Sequence, residues 1–82
     1  MGKLRQNDIL KAVETALKLD PGSVNIDSSS KNIDEWDSLG HLNILILLEK
    51  ELKGKASTLS ELGKALSIKK ILSVLKKKNF LQ

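Results

Sequence analysis

The stretch from Ser38 to Leu52 reads SLGHLNILILLEKEL, and eight of its fifteen residues are Leu or Ile. It contains no proline, and its one glycine stands near the start, so a helix is expected from 38 to 53, with Gly54 available as its C-cap. On a helical wheel, Leu39, Leu42, Ile44, Leu45, Ile46, Leu47, Leu48 and Leu52 point in most directions. Such a helix either lies at the centre of a bundle or keeps part of its apolar surface for another task. The rest of the chain must supply the elements that cover it.

With 82 residues, 40% hydrophobic and 29% charged, the chain has the balance of one folded domain with a modest core. That size is too small to wall off a deep pocket and also build a multi-residue catalytic site, so a carrying, binding or scaffolding role is favoured over an enzyme. The absence of cysteine and the single histidine exclude a disulfide framework, a thiolate metal site and a histidine-rich one, so no metal is expected. The beginning MGKLRQNDIL lacks the pattern of a secretory signal, and Gln6 stands where a myristoylation motif wants Ser or Thr. The longest uninterrupted apolar run, Ile44 to Leu48, is far short of the roughly 20 residues that span a bilayer. A cytoplasmic monomer with no membrane attachment is the resulting expectation.

Three further helices are predicted. Ile9, Val13, Ala16 and Leu17 follow one-sided helical spacing, which places a helix over 7–19 with Asn7 as N-cap, stopped near Asp20 by Pro21 and Gly22. Thr58 and Glu61 have the spacing of a capping box and open a short helix over 58–64. Ser67 caps a last helix over 67–78, with Ile68, Ile71, Leu72 and Leu75 as its apolar stripe and Lys76, Lys77 and Lys78 where positive charge suits the dipole. Between the first two helices, PGSVNIDSSSKNIDEWD (residues 21 to 37) has no period, and Val24, Ile26, Ile33 and Trp36 are the anchors expected to hold this long loop to the core. No hairpin signal or internal repeat appears. The expected fold is all-α, a four-helix bundle with a short third helix, in one domain covering 1–82.

The net charge of +4 hides an asymmetry. Residues 1 to 49 hold five Lys or Arg against eight acids, whereas residues 50 to 82 hold nine Lys against two acids. The molecule is therefore dipolar, with its acids gathered around Ser38 and a basic last third. The basic third defines the alternative function, a small helical domain binding nucleic acid or an anionic surface. Against it stand one Trp and one Phe for base stacking and the lack of a recognition-helix motif, so no nucleic acid is expected as partner.

Asp37-Ser38-Leu39 at the start of an apolar helix that ends Leu47-Leu48-Glu49-Lys50-Glu51-Leu52, in a chain of this length and order of parts, resembles the acyl carrier proteins and their peptidyl-carrier relatives. The resemblance covers essentially the whole chain. It implies a non-catalytic carrier whose Ser38 is modified with 4′-phosphopantetheine, taken from coenzyme A by a separate phosphopantetheinyl transferase. Acyl or aminoacyl groups are then held as thioesters on the cofactor's thiol and presented to acyl-activating and acyl-transferring enzymes. Ser38 matches the attachment residue, Asp37 the acid before it and Leu39 the apolar residue after it. Glu49 and Glu51 match acids that partners contact. The absence of cysteine agrees with an imported thiol, and an anion on Ser38 would face unpaired amides at a helix N-terminus. The apolar excess of the motif helix offers lining for a short acyl chain, although a solid core would use the same residues.

Gly40, His41 and Asn43 stand where the family's acids are frequent, and Lys50 splits the later acid pair. With Trp36 and Glu49, these three are the candidate partner-recognition residues, and dedicated partners in a specialised lipid, polysaccharide or secondary-metabolite pathway are expected. Bland readings stand beside these. Ser38 read alone is a helix cap, and Asp37 is equally a cap or an aid to the transferase in placing metal and coenzyme. Trp36 is read first as a core anchor. His41, one turn after Ser38, suggests a hydrolase pair, but nothing supplies an oxyanion hole, so it is expected to be an exposed polar residue.

Overall fold

The computed structural model describes residues 4–51, 59–78 and 80–81. Among these residues there are four helices: α1 (Gln6–Leu17), α2 (Ser38–Glu51), α3 (Leu59–Leu62) and α4 (Ile68–Lys77). No strand is formed among them; the only extended pairings are isolated bridges of Leu4 with Leu81 and of Ser29 with Ser67. The domain is all-α, and its α1 and α2 pack directly on each other. No helix of the described residues is long and apolar enough to cross a membrane. Gly54 and Thr58, and so the expected C-cap and capping box, lie outside the described residues.

Apolar periodicity explains the core. Ile9, Val13 and Leu17 of α1, Ile44 and Leu48 of α2, Leu62 of α3, and Ile68, Ile71, Leu72 and Leu75 of α4 are all buried in one cluster. These are the positions at which turns of helix bring side chains to one face. In α4 the amide of Lys70 donates to the Ser67 hydroxyl, so Ser67 is the N-cap as expected.

Both ends of α1 differ from expectation. Its N-cap is Arg5, whose amide donates to the Asp8 carboxylate at 2.9 Å, rather than Asn7. The helix stops at Leu17, before Pro21 can act, because Lys18 turns left-handed (φ 58°) and the Leu19 amide closes onto the Glu14 carbonyl at 2.9 Å.

The loop from Lys18 to Asp37 is ordered by polar as well as apolar ties. Val24 and Trp36 are buried and Ile33 is half-buried, whereas Ile26, expected as an anchor, is exposed. Its place is taken by Glu14. This buried α1 residue accepts the amides of Gly22 (2.9 Å) and Val24 (3.0 Å) on one carboxylate oxygen. A carboxylate that takes two amides compensates its own burial and fixes the first turn of the loop. Gly22 sits there at φ 86°, a conformation that side chains resist.

Candidate functional site

The loop delivers Asp37 to the start of α2, and Asp37 caps the helix. Its carboxylate accepts the Gly40 amide at 2.8 Å, and its carbonyl accepts the His41 amide at 2.8 Å. The capping side chain is Asp37, so Ser38 is the first helical residue, exposed to solvent, with its hydroxyl outside the cap. The amides of Ser38 and Leu39 belong to the first turn and have no carbonyl one turn back to donate to. An anion bonded to the Ser38 oxygen would find these donors and the positive end of a 14-residue helix. The residues present therefore fit a phosphodiester. Among the described residues no group of three His, Cys, Asp or Glu is placed to hold a metal ion.

Behind Ser38 lies a polar device in the core. The Trp36 indole N–H donates to His41 Nδ1 at 3.0 Å, and His41 Nε2 lies 2.9 Å from the Leu62 carbonyl oxygen. An indole nitrogen can only donate, so Nδ1 is the acceptor and the imidazole proton sits on Nε2, where it donates to Leu62. The two rings are near-parallel, 17° apart in plane with centroids 6.2 Å apart. This chain of bonds ties the end of the loop, α2 and α3 together beneath Ser38.

His41 was expected to be exposed; it is buried, with 7% of its surface accessible. Both ring nitrogens are engaged away from Ser38, so His41 is not placed as a base for the Ser38 hydroxyl. Trp36 is 2% exposed and is the core anchor. Gly40, taken as a partner-recognition candidate, is buried too, for a steric reason. A Cβ at this position would collide with the Glu35 carbonyl oxygen and lie 2.8 Å from Leu17 Cδ2. Glycine lets α2 approach the loop and α1 closely. Of the five candidates for partner recognition, Trp36, Gly40 and His41 thus have their surfaces turned inward, Asn43 is exposed and Glu49 is half-buried.

The apolar excess of α2 is found on the outside. Leu39 (72% exposed), Leu42 (50%) and Ile46 (46%) follow the i, i+3, i+7 spacing of a single helix face that starts beside Ser38. Leu42 and Ile46 therefore do not line a space between helices, as sheltering an acyl chain there would require. A groove of about 500 Å³ does adjoin Ser38 on its other side, lined by Ser30, Trp36, Asp37, Ser38, His41, Gly63 and Leu66. Neither the exposed stripe nor this groove was signalled by periodicity: every Leu and Ile of α2 reads alike in sequence.

Comparison of the chain with protein-family models, with curated proteins and with solved structures returned no match.

Proposed function

We propose that this protein is an acyl carrier: Ser38 receives a 4′-phosphopantetheine arm, and partner enzymes load and unload an acyl or aminoacyl group at its end. The observation that carries the reading is the exposed Ser38 at the first position of α2, left clear because Asp37 performs the cap. In the modification, the Ser38 oxygen attacks the β-phosphorus of coenzyme A. The new P–O bond replaces the one to 3′,5′-adenosine bisphosphate, which leaves, and the hydroxyl proton passes to the transferase. Once attached, the arm supplies the thiol on which the acyl group rides as a thioester.

The chain's own residues hold and present the attachment point. The Asp37 cap and the Trp36–His41–Leu62 bonds fix the first turn of α2 and would give an arm on Ser38 a rigid base. Leu39, Leu42 and Ile46 form an apolar strip beside that base, a surface on which partners can dock while they reach the arm. In sequence, Asn43 lies within this strip and Glu49 follows it. The rival reading, a basic domain for nucleic acid or an anionic surface, is weakened by ion pairing. Lys69 is paired with Asp27, and Lys77 and Lys78 with Glu61, so part of the basic third is already neutralised.

The test is to incubate the protein with coenzyme A and several broad-specificity phosphopantetheinyl transferases and to measure its mass. A gain of one phosphopantetheine in the wild type and none in Ser38→Ala is expected. No gain with any transferase, or the same gain in Ser38→Ala, ends the carrier reading. A salt-sensitive shift of random DNA by the unmodified protein would speak for the rival.

A further inference from the structure

The groove beside Ser38 has a neighbour. Ser30 and Leu66 also line a second depression, of about 300 Å³, whose rim carries Lys31, Lys64 and Lys70. These lysines come from the long loop, the turn after α3 and the first turn of α4, so the fold and not a sequence run brings them together. No carboxylate lines the depression. The ion pairs among the described residues use Lys69, Lys77 and Lys78, and none involves Lys31, Lys64 or Lys70. Three ammonium groups around one hollow repel one another, and an anion between them would relieve that repulsion.

The floor of the hollow is pre-organised. The Ser30 amide donates to the Leu66 carbonyl at 2.9 Å and the Ile68 amide to the Ser28 carbonyl at 3.0 Å, which pairs the two segments around Ser29 and Ser67. A site that is already rigid loses less entropy when its ligand arrives. Ser30 and the half-open Leu66 line both hollows, whereas the three lysines line only the second, so a ligand that reaches from the first into the second passes Ser30 and Leu66 to meet the cations. That arrangement suits the outer end of a cargo whose methylene groups lie against Leu66 and whose anionic end reaches the cations. The concave shape and small volume suit a single carboxylate better than a duplex or a membrane, which need an extended basic stripe.

We propose that Lys31, Lys64 and Lys70 form a seat for the free carboxylate of an acyl group carried on the Ser38 arm. The cargo is then the monothioester of a dicarboxylic acid. This inference rests on the carrier reading and goes further by naming the class of cargo.

The test loads the Ser38 arm, with a broad-specificity transferase, from glutaryl-coenzyme A or from pentanoyl-coenzyme A. The two acyl groups have the same chain length and differ in the terminal carboxylate. Amide chemical shifts of ¹⁵N-labelled protein are compared. The glutaryl form is expected to shift the amides of Ser29, Lys31, Ser67 and Lys70 from their positions in the unacylated arm-bearing protein. The pentanoyl form is expected to leave them in place, and K31Q/K64Q/K70Q, checked for folding by circular dichroism, to remove the difference. If neither adduct forms, the carrier reading fails and takes the seat with it. If both form and give the same shifts, the carrier reading stands and the seat is overturned, since the lysines then respond to the arm alone. A glutaryl-specific shift that persists in the triple variant also overturns it, because the carboxylate is then held elsewhere.

Discussion

The two faces of α2 both carry Leu and Ile and meet opposite fates. One face, Gly40, His41, Ile44 and Leu48, is buried against α1, the loop and α3; the other, Leu39, Leu42 and Ile46, is open to water. Hydrophobicity alone does not decide which side of a helix a protein buries. The buried face is the one that carries a glycine for close approach and a histidine whose two nitrogens both find partners. The exposed face carries Leu39, Leu42 and Ile46 together with the polar Asn43 and Lys50, and it begins at the residue next to Ser38.

The largest expected effect separates these faces directly. Ile44→Ala should cost about 2–5 kcal/mol, through lost transfer energy and the cavity it leaves. Ile46→Ala, 46% exposed, should stay within about 0.5 kcal/mol. Urea denaturation of both variants measures the contrast, and equal losses would mean that the solvent face is covered in the folded protein.

Next in size is His41→Leu. It keeps an apolar body but leaves the Trp36 indole N–H and the Leu62 carbonyl without their partner, at a cost of about 1–3 kcal/mol for a buried group so stranded. The double variant Trp36→Phe, His41→Leu should lose less than the two single losses combined, because the shared bond is counted twice. Strict additivity in denaturant titrations would break the network reading.

Gly40→Ala is expected to destabilise by about 1–3 kcal/mol, since the added methyl must displace the Glu35 carbonyl or Leu17. Gly22→Ala makes a sharp control. A Cβ there meets nothing within 4 Å, so its cost comes only from the left-handed backbone, about 1–2 kcal/mol. The two glycines are distinguished by Leu17→Ala, which should partly rescue Gly40→Ala and leave Gly22→Ala unchanged.

The smallest effect concerns the outer tie of α3, in contrast to its buried tie through His41. The Lys78 ammonium, 3.0 Å from Glu61, holds that carboxyl below its ordinary value of 4.5, with Lys77 adding to the effect. A group whose pKa is lowered by folding stabilises above its unfolded pKa, and the contribution disappears as pH falls through the folded value. Wild type should thus exceed Glu61→Gln in thermal midpoint by a small margin near neutral pH, and the margin should vanish below the ordinary carboxylate range. Salt should shrink it as well, as expected for an exposed pair. A margin that survives acid would show that Glu61 acts by packing and not by charge.

Much of the fold was legible in the sequence, for local reasons. The stripe of Ile68, Ile71, Leu72 and Leu75 and the cap at Ser67 are periodicity and capping within one helix, and both are present. The start of α2 at Ser38 was legible too, because a helix that begins after an acid needs only its own first turn. The stop of α1 was expected near Asp20 and came at Leu17, because Lys18 in the left-handed region is a choice of one backbone residue that composition does not announce. Glu14 was passed over because an acid in a helix reads as surface; only the returning loop, eight and ten residues on, makes it a buried acceptor.

By itself, then, the sequence determined an all-α chain, an apolar helix opened by Asp37-Ser38, and a basic last third, since these follow from neighbours within a few turns of backbone. The tertiary structure alone decided three other things. It turned His41 inward, left Leu39, Leu42 and Ile46 outside, and gathered Lys31, Lys64 and Lys70 around one hollow. The physical reason is distance along the chain. Which face of a helix is buried, and which charges meet, depends on contacts between segments far apart in sequence, and no local pattern encodes them.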